Sequence, residues 1–127
     1  MTSLTGAEPS VLIVEDQVLI ALDLQVMLHN CGASATVIAY SVKNALSLLA
    51  GQRFDAAFLD LRLDDGDSFP VAIALAELSV PFAFATGYQD VNMVPVELQS
   101  RPVIYKPYHE SDVASVLKQL LQQSGRF

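Results

Sequence analysis

The stretch Phe58-Leu59-Asp60 ends a short apolar run on an acidic residue, and two other apolar runs also end on charged groups. Residues 11–14 are followed by Glu15-Asp16, and residues 102–105 by Lys106-Pro107. We interpret these runs as neighbouring parallel strands, whose carboxyl ends meet at one edge of a sheet. Two or three carboxylates and one ammonium at that edge suit a hard divalent cation beside an aspartate nucleophile.

Apolar runs alternate along the chain with segments of helical period, which is typical of an α/β fold. We predict strands at residues 10–15, 33–39, 55–60, 80–86 and 103–105, and helices at residues 17–30, 41–51, 69–78 and 110–122. This alternation predicts a doubly wound five-stranded parallel sheet. The sheet is flavodoxin-like, with strand order 2-1-3-4-5, helices on both faces and ligands at the carboxyl ends of the strands.

Several residues mark the expected helix ends. Gly32 is placed to stop the first helix, Ser41 is a good N-cap for the second, and Pro70 suits a first helical turn. Pro95 breaks any helix drawn through residues 90–100, so this segment has the least certain structure.

Length and composition favour one globular domain, because the chain has 127 residues and is 52% hydrophobic. We expect residues 1–9 to form a flexible polar tail and residues 10–124 to form the domain. No output domain follows Phe127, which predicts a stand-alone module. The sequence contains no apolar run of about eighteen residues, so we predict no membrane-spanning helix. The single cysteine, Cys31, cannot form an internal disulfide, which is consistent with a cytoplasmic protein.

The net charge of −7, with only seven Lys and Arg residues, argues against a nucleic-acid partner. The sequence contains no basic stripe. Any effect on transcription would therefore have to pass through another molecule.

Over nearly its full length, the chain resembles the receiver domain of bacterial two-component response regulators. The resemblance is carried by Glu15-Asp16, Asp60, Thr86 and Lys106-Pro107, which follow or end the first, third, fourth and fifth predicted strands. Residues 81–88, Pro-Phe-Ala-Phe-Ala-Thr-Gly-Tyr, are similar to the signature of the FAT GUY subgroup of receivers. That subgroup is often found with histidine kinases of the HWE or HisKA2 type.

The resemblance implies that Asp60 accepts a phosphoryl group from a phosphohistidine on a sensor histidine kinase or a phosphotransfer protein. Lys106 would then pair with one phosphoryl oxygen, and the Thr86 hydroxyl would donate to another. The Lys106–Pro107 bond is expected to be cis. These roles imply a module that signals through protein–protein contacts. It would not be an enzyme beyond its own phosphotransfer and autodephosphorylation.

The resemblance also implies a Mg²⁺ site. Asp16 would bind the ion directly and Glu15 through water, beside Asp60, with the backbone carbonyl of Arg62 as a further ligand. Elementary chemistry supports this, because Mg²⁺ keeps several waters and takes only one or two carboxylates. Phosphoryl transfer develops charge on the equatorial oxygens, so it depends on positioning and electrostatic stabilisation. Without the ion, the three acids repel one another and their protonation is coupled.

Two positions depart from the usual receiver pattern. Val103 stands where an aromatic residue commonly responds to phosphorylation, and Asp64 stands where a proline is common. Tyr105 is aromatic, but it lies two residues further along the strand. The departures leave the route of signal transmission open, but they do not affect the expected phosphorylation.

Other polar residues have two interpretations. Arg62 either shields the phosphoaspartate from water or is a solvated loop cation. Asp64, Asp65 and Asp67 form a solvated face or contribute to the metal site. Glu15-Asp16 either cap the first helix or bind metal, and Asp16 is a candidate for both roles.

The first helix carries a second apolar set, Leu19, Leu22 and Val26, beside its core stripe. Either the helix has a wide core face, or this set is a docking surface for a kinase helical bundle. The resemblance places kinase docking on this helix and on the loop at Tyr108-His109.

Two other functions compete with this interpretation. A degenerate receiver would act as a phosphate-independent binding module, but the complete set of acids, threonine and lysine disfavours it. A phosphatase with Asp60 as nucleophile would commonly need a second acid two residues later, where this chain has Arg62.

Overall fold

The computed structural model describes residues 8–125, so residues 1–7 of the predicted tail lie outside the described part of the chain. Its strands are β1 (Ser10–Val14), β2 (Ala35–Ala39), β3 (Ala56–Leu59), β4 (Arg62–Leu63), β5 (Gly66–Asp67), β6 (Phe82–Thr86) and β7 (Val103–Tyr105). Five of them form one parallel sheet in the order β2-β1-β3-β6-β7. Counted within this sheet, the order is 2-1-3-4-5, which confirms the predicted flavodoxin-like fold.

Helices connect the strands of this sheet at the predicted places. The α-helices are α1 (Val18–Asn30), α2 (Val42–Gly51), α3 (Phe69–Glu77) and α4 (Glu110–Ser124). Their ends and those of the strands differ from the predicted ends by one or two residues in most cases. The predicted element order is therefore confirmed.

The helix ends follow from local chemistry. Gly32 adopts a φ of 99°, a conformation that a residue with a Cβ rarely takes, and the chain turns there after α1. The N–H of Asn44 donates to Ser41 Oγ at 2.9 Å, so Ser41 caps α2 as predicted. Pro70 lies in the first turn of α3.

Two hydrophobic cores cover the two faces of the sheet. Leu12 and Val14 point to the core formed with α2 and α3, and Val11 and Ile13 to the core formed with α1 and α4. All four side chains are almost fully buried. Because successive residues of a strand face opposite sides, a strand covered on both sides is apolar throughout. This burial fixes the register that brings the charged strand ends together.

One short hairpin was not predicted. Strands β4 and β5 pair antiparallel directly after β3, with Arg62 opposite Asp67 and Leu63 opposite Gly66. We refer to residues 62–67 as the acidic hairpin. Gly66 has a φ of 139°, which explains why glycine occupies this place in so short a turn.

The connection between β6 and β7 contains no α-helix. It forms two single 3-10 turns, Val91–Met93 and Val96–Leu98, on either side of Val94 and Pro95. Pro95 is extended, with a ψ of 149°, and precedes the second turn. The expected break at Pro95 is confirmed, because proline removes an N–H that a continuous helix needs.

The second apolar set of α1 faces solvent. The exposed fractions are 82% for Leu19, 42% for Leu22 and 56% for Val26. The interpretation of these residues as a wide core face is therefore wrong. Among residues 8–125, no helix combines the length and apolarity needed to cross a bilayer.

Candidate functional site

The carboxyl ends of four strands bring together residues that are far apart in the sequence. The N–H of Asp60 donates to the carbonyl of Val14 at 2.9 Å, which places Asp60 beside Glu15. The N–H of Lys106 donates to the carbonyl of Thr86, also at 2.9 Å. The ladder hydrogen bonds of the sheet thus continue for one residue beyond the strands. They position the predicted side chains at one edge, as expected for ligand sites in this fold.

The Lys106 ammonium lies between two carboxylates. Its Nζ is 2.8 Å from Asp60 Oδ2 and 2.9 Å from Glu15 Oε1. Burial lowers the pKa of Lys106, but its hydrogen bond to Asp60 and its ion pair with Glu15 outweigh burial and raise it above the usual value. Lys106 is therefore a fixed positive charge in the site. The peptide bond to Pro107 is cis, as predicted.

Three acids form a compact cluster. One carboxylate oxygen each from Glu15, Asp16 and Asp60 lies within 4.8 Å of the others. Glu15 and Asp60 are buried, with exposed fractions of 2% and 7%, and Asp16 is half-buried. Burial raises the pKa of Glu15 to about 7, and repulsion from Asp60 adds to this, whereas the ion pair with Lys106 opposes it. The Lys106 ammonium therefore does not fully offset the burial of Glu15 and its repulsion from Asp60.

The start of α1 is organised by Glu15. The N–H of Gln17 donates to Glu15 Oε2 at 3.1 Å. Gln17 occupies the N-cap position, and no side chain caps the helix there. Asp16 is therefore not the N-cap residue of α1, and the acid that accepts a backbone N–H at this helix start is Glu15.

Thr86 brings a buried hydroxyl to the same edge. The residue is fully buried, and within residues 8–125 its Oγ1 has no hydrogen-bond partner. Buried hydroxyls are normally hydrogen-bonded, so an unpaired one costs folding free energy. Its register partner on β7 is Tyr105, and the N–H of the next residue, Lys106, donates to the Thr86 carbonyl. Thr86 itself is not among the residues that line the pocket beside Asp60, although the next residue, Gly87, is.

An open pocket of about 470 Å³ gives access to the cluster. Arg62 lies at its rim, where Nε is 3.6 Å from Asp90 Oδ1 and 3.2 Å from Met93 Sδ. The Arg62 side chain is 65% exposed. It thus links the acidic hairpin to the β6–β7 connection across the mouth of the pocket. Arg62 is more than a freely solvated loop cation, because two partners hold it there.

The acidic hairpin is not simply a solvated face, although its carboxylates are exposed. Asp65 accepts hydrogen bonds from two backbone N–H groups of α2, and Asp67 accepts one from α3. Asp64 is within hydrogen-bonding reach of Asp16, and this contact raises the pKa of Asp64. All three acids therefore have defined partners, and Asp64 extends the acidic cluster.

The aromatic residues near the pocket were only partly expected. Tyr105 stacks on Tyr88, with ring centroids 4.1 Å apart and planes inclined by 5°. Tyr108, which the resemblance places with His109 in a docking loop, is buried, and its hydroxyl donates to the Ala85 carbonyl at 3.4 Å, whereas His109 is exposed.

Sequence reasoning also missed Asp90 and Met93 as partners of Arg62. No sequence signal marks them, because their positions depend on how the irregular β6–β7 connection folds.

Two curated proteins that are similar to this chain have names that describe regulation or sensory transduction. "Sensory transduction protein LytT" of Bacillus cereus is 31% identical over 116 residues, which is 89% of this chain and 47% of that protein. "Phyllosphere-induced regulator PhyR" of Methylorubrum extorquens is 30% identical over 121 residues, 91% of this chain and 45% of that protein. The chain thus spans about half the length of the curated relatives it matches.

A solved structure gives the same result for the fold. The solution structure of SdrG from Sphingomonas melonis Fr1 is 39% identical, with a TM-score of 0.77, and covers 90% of this chain and 97% of that one.

The family match covers nearly the whole described domain. Residues 11–118 match the family described as "Response regulator receiver domain". Receiver domains generally bind Mg²⁺ at an acidic pocket and work with histidine kinases or phosphotransfer proteins. They are generally signalling modules of two-component systems rather than classical enzymes. With its fold, its acidic cluster and this match, the chain belongs to the response regulator receiver domain family.

Proposed function

We propose that this domain, residues 10–124, accepts a phosphoryl group on Asp60 from the phosphohistidine of a sensor histidine kinase or a phosphotransfer protein. One observation carries the proposal. The ammonium of Lys106 lies 2.8 Å from Asp60 Oδ2, inside a cluster that also holds Glu15 and Asp16. An aspartate with a fixed cation on one oxygen and two further acids beside it is arranged to receive an anion together with a metal ion.

The proposed reaction makes one bond and breaks one. A carboxylate oxygen of Asp60 forms a bond to phosphorus, and the phosphorus–nitrogen bond of the donor breaks. Its electron pair stays on the imidazole nitrogen, which then takes a proton from water. The products are an aspartyl phosphate and a neutral histidine. No other acid or base is needed, so the pocket acts by positioning and electrostatics.

Two side chains receive the phosphoryl oxygens. The ammonium of Lys106 is already at Asp60 and stays protonated, because its carboxylate partners raise its pKa. It can neutralise charge on one oxygen without moving far. The Thr86 hydroxyl has no partner among residues 8–125 and can donate to another oxygen. The arriving group would therefore satisfy a polar atom that folding alone leaves unpaired.

The residues of the cluster fit Mg²⁺. The three carboxylates supply hard oxygen ligands within 4.8 Å of one another, and we propose Glu15, Asp16, Asp60 and the Arg62 carbonyl as the residues that hold the ion. Half-buried Asp16 and the open pocket leave room for the waters that Mg²⁺ retains. When bound, the ion supplies positive charge that offsets the phosphoryl oxygens and the acids.

The exposed apolar face of α1 supports a docking role. Leu19, Leu22 and Val26 are exposed beside a pocket formed by Ile20, Asp23 and residues 106–108, next to the phosphoacceptor edge. An apolar helix face suits a partner that presents helices of its own. We propose that the kinase or phosphotransfer protein binds here, in the cytoplasm, where the lone thiol of Cys31 stays reduced.

We also propose that the chain is a FAT GUY receiver whose partner is a kinase of the HWE or HisKA2 type. Residues 81–88 are similar to the subgroup's signature, which supports this proposal. Downstream signalling would use protein–protein contacts, since the net charge of −7 disfavours nucleic acid.

Labelling with phosphoramidate, a small donor with a phosphorus–nitrogen bond, tests the phosphoacceptor. We expect intact-mass spectrometry to show one added phosphoryl group in the presence of Mg²⁺ and none after chelation. Asp60→Asn should abolish the label, whereas Asp112→Asn, an exposed acid on α4, should keep it. A label that persists in Asp60→Asn refutes the site. No label in the unmodified protein indicates a phosphate-independent binding module instead.

Replacement of one apolar residue on α1 tests docking. Leu22→Glu should slow transfer from a phosphorylated kinase at least about tenfold, because it places a charge in an apolar contact. Labelling by phosphoramidate should stay unchanged, since the small donor needs no docking face. Leu78→Glu, at an exposed position after α3, is the matched control. Equal transfer rates for the two variants would contradict docking on α1.

A further inference from the structure

The acidic hairpin is the segment that connects the phosphoacceptor strand to α3. It begins two residues after Asp60, and Arg62 and Asp64 from it line the pocket. Its strands contain only two residues each and pair only with each other. A hairpin this short is not stable alone. Other contacts must therefore hold it in the position that the pocket requires.

Asp65 makes the contacts that join this hairpin to a distant helix. The N–H of Val42 donates to Asp65 Oδ1 at 2.9 Å, and the N–H of Lys43 donates to Oδ2 at 3.2 Å. Both donors belong to the first turn of α2, more than twenty residues earlier in the chain. The Val42 hydrogen bond lowers the pKa of Asp65, so its carboxylate is ionised at neutral pH.

Asp65 is not needed as the ordinary cap of α2, because Ser41 already fills that role. Ser41 Oγ accepts the N–H of Asn44 at 2.9 Å. Asp65 instead binds the two N–H groups that a local cap leaves free. Since Asp65 itself does not line the pocket, its effect on the site is indirect.

We propose that Asp65 is a positioning residue, which clamps the acidic hairpin to the N-terminus of α2 and so holds the metal-binding loop in place. The inference rests on the proposed function, because it concerns the loop that supplies the Arg62 carbonyl and Asp64. Through the same contact, binding of metal or a phosphoryl group in the pocket would affect the hydrogen bonds at the N-terminus of α2. Coupling between the two ends of the clamp has to be reciprocal.

Metal affinity tests the clamp. Titration of the full chain with Mg²⁺, followed through the amide resonances of Glu15, Asp16 and Asp60, gives the dissociation constant. We expect Asp65→Ala to weaken Mg²⁺ binding about tenfold, as is typical when a group that orients metal ligands is lost. Asp65→Asn keeps one acceptor oxygen and should give an intermediate affinity.

A matched control separates positioning from charge. Asp67→Ala removes a second carboxylate from the same hairpin, together with the hydrogen bond that it accepts from the Phe69 N–H on α3. The loss of an exposed charge alone should change the affinity less than about twofold at physiological salt. Equal weakening by Asp65→Ala and Asp67→Ala would show that the contact of Asp65 with α2 has no special role and would overturn the clamp. Unchanged affinity in Asp65→Ala would overturn it as well.

Hydrogen exchange tests the reciprocal effect in the unmodified protein. Mg²⁺ should slow exchange of the Val42 and Lys43 amides, because a better-ordered hairpin holds these hydrogen bonds longer. Unchanged exchange in a protein that binds Mg²⁺ would refute the clamp and leave the proposed function intact. Failure of the unmodified protein to bind Mg²⁺ at all would refute the proposed function, and the clamp with it.

Discussion

The inner and outer halves of the pocket hold their charged groups in different ways. The inner half consists of residues at the ends of strands: Glu15, Asp60, Thr86 and Lys106. The outer half consists of residues at the rim and on loops: Asp16, Arg62, Asp64 and Asp90. Inner residues are buried or half-buried and are positioned by the ladder hydrogen bonds of the sheet. Outer residues are held by side-chain contacts between loops.

This difference shows that one sheet edge can hold strongly interacting buried charges beside a rim that is open to solvent. Charges in the inner half interact strongly because little water screens them, whereas contacts in the outer half are screened and weak. On the proposed function, the buried inner half would hold the phosphoryl group, and the exposed contacts of the outer half would contribute little to the stability of the site. Four variants or conditions test this division.

Removal of the Lys106 charge should have the largest effect. Lys106→Met leaves two buried carboxylates without their cation, and we expect the free energy of unfolding to fall by about 3 kcal/mol without metal. Urea unfolding at pH 8 measures this loss. Mg²⁺ should restore part of the stability by replacing the missing positive charge. An effect below that of Arg62→Met would contradict the division into two halves.

The second largest effect should come from pH. The folded protein keeps the Glu15 proton up to about pH 7, whereas the unfolded chain releases it near 4.5. Between these values the folded state binds more protons, so the free energy of unfolding should fall as pH rises, by a total of at most about 3 kcal/mol. Above this window the contribution is constant.

Urea unfolding from pH 4.5 to 8 without metal measures this dependence as the difference between the unmodified protein and Glu15→Gln. The glutamine variant lacks the titrating group and should not show this part of the fall. Identical pH profiles for the two proteins would show that Glu15 ionises normally in the folded state.

Thr86→Val should stabilise the protein by about 1 kcal/mol, since it replaces an unpaired buried hydroxyl with a methyl group of the same shape. Thermal or urea unfolding measures this gain. The same variant should bind beryllofluoride, a phosphoryl mimic, more weakly in the presence of Mg²⁺. A loss of stability would indicate that the hydroxyl has a partner in the resting protein.

Arg62→Met should have the smallest effect on stability, below about 1 kcal/mol, because its ion pair with Asp90 is exposed and 3.6 Å long. The difference should disappear in high salt. Urea unfolding at two salt concentrations checks both points. A large, salt-independent loss would place Arg62 with the inner half.

Much of the inner half was predictable from the sequence. Each of Glu15, Asp60 and Lys106 directly follows an apolar run, and Thr86 ends one. Since parallel strands of one sheet end at a common edge, convergence of these side chains follows from strand order alone. The Lys106–Asp60 contact, at 2.8 Å, agrees with that expectation.

The outer half was mostly beyond sequence reasoning. The prediction of a solvated acidic face missed the hydrogen bonds of Asp65 to α2, and the pairing of Arg62 with Asp90 had no signal at all. The Tyr88–Tyr105 stack was likewise not predicted. Such contacts join segments that have no periodic pattern, so neither propensity nor spacing reports them.

The amino-acid sequence by itself determined the order of strands and helices, the two cores and the identity of the charged strand ends. Apolar periodicity and end signals such as Ser41 and Pro70 are local properties of the chain. Only the tertiary structure decided which loop acids contact the cluster, which apolar residues of α1 stay exposed and how the hairpin is anchored. These features depend on distances between segments far apart in the chain, and the packing of the two cores sets those distances.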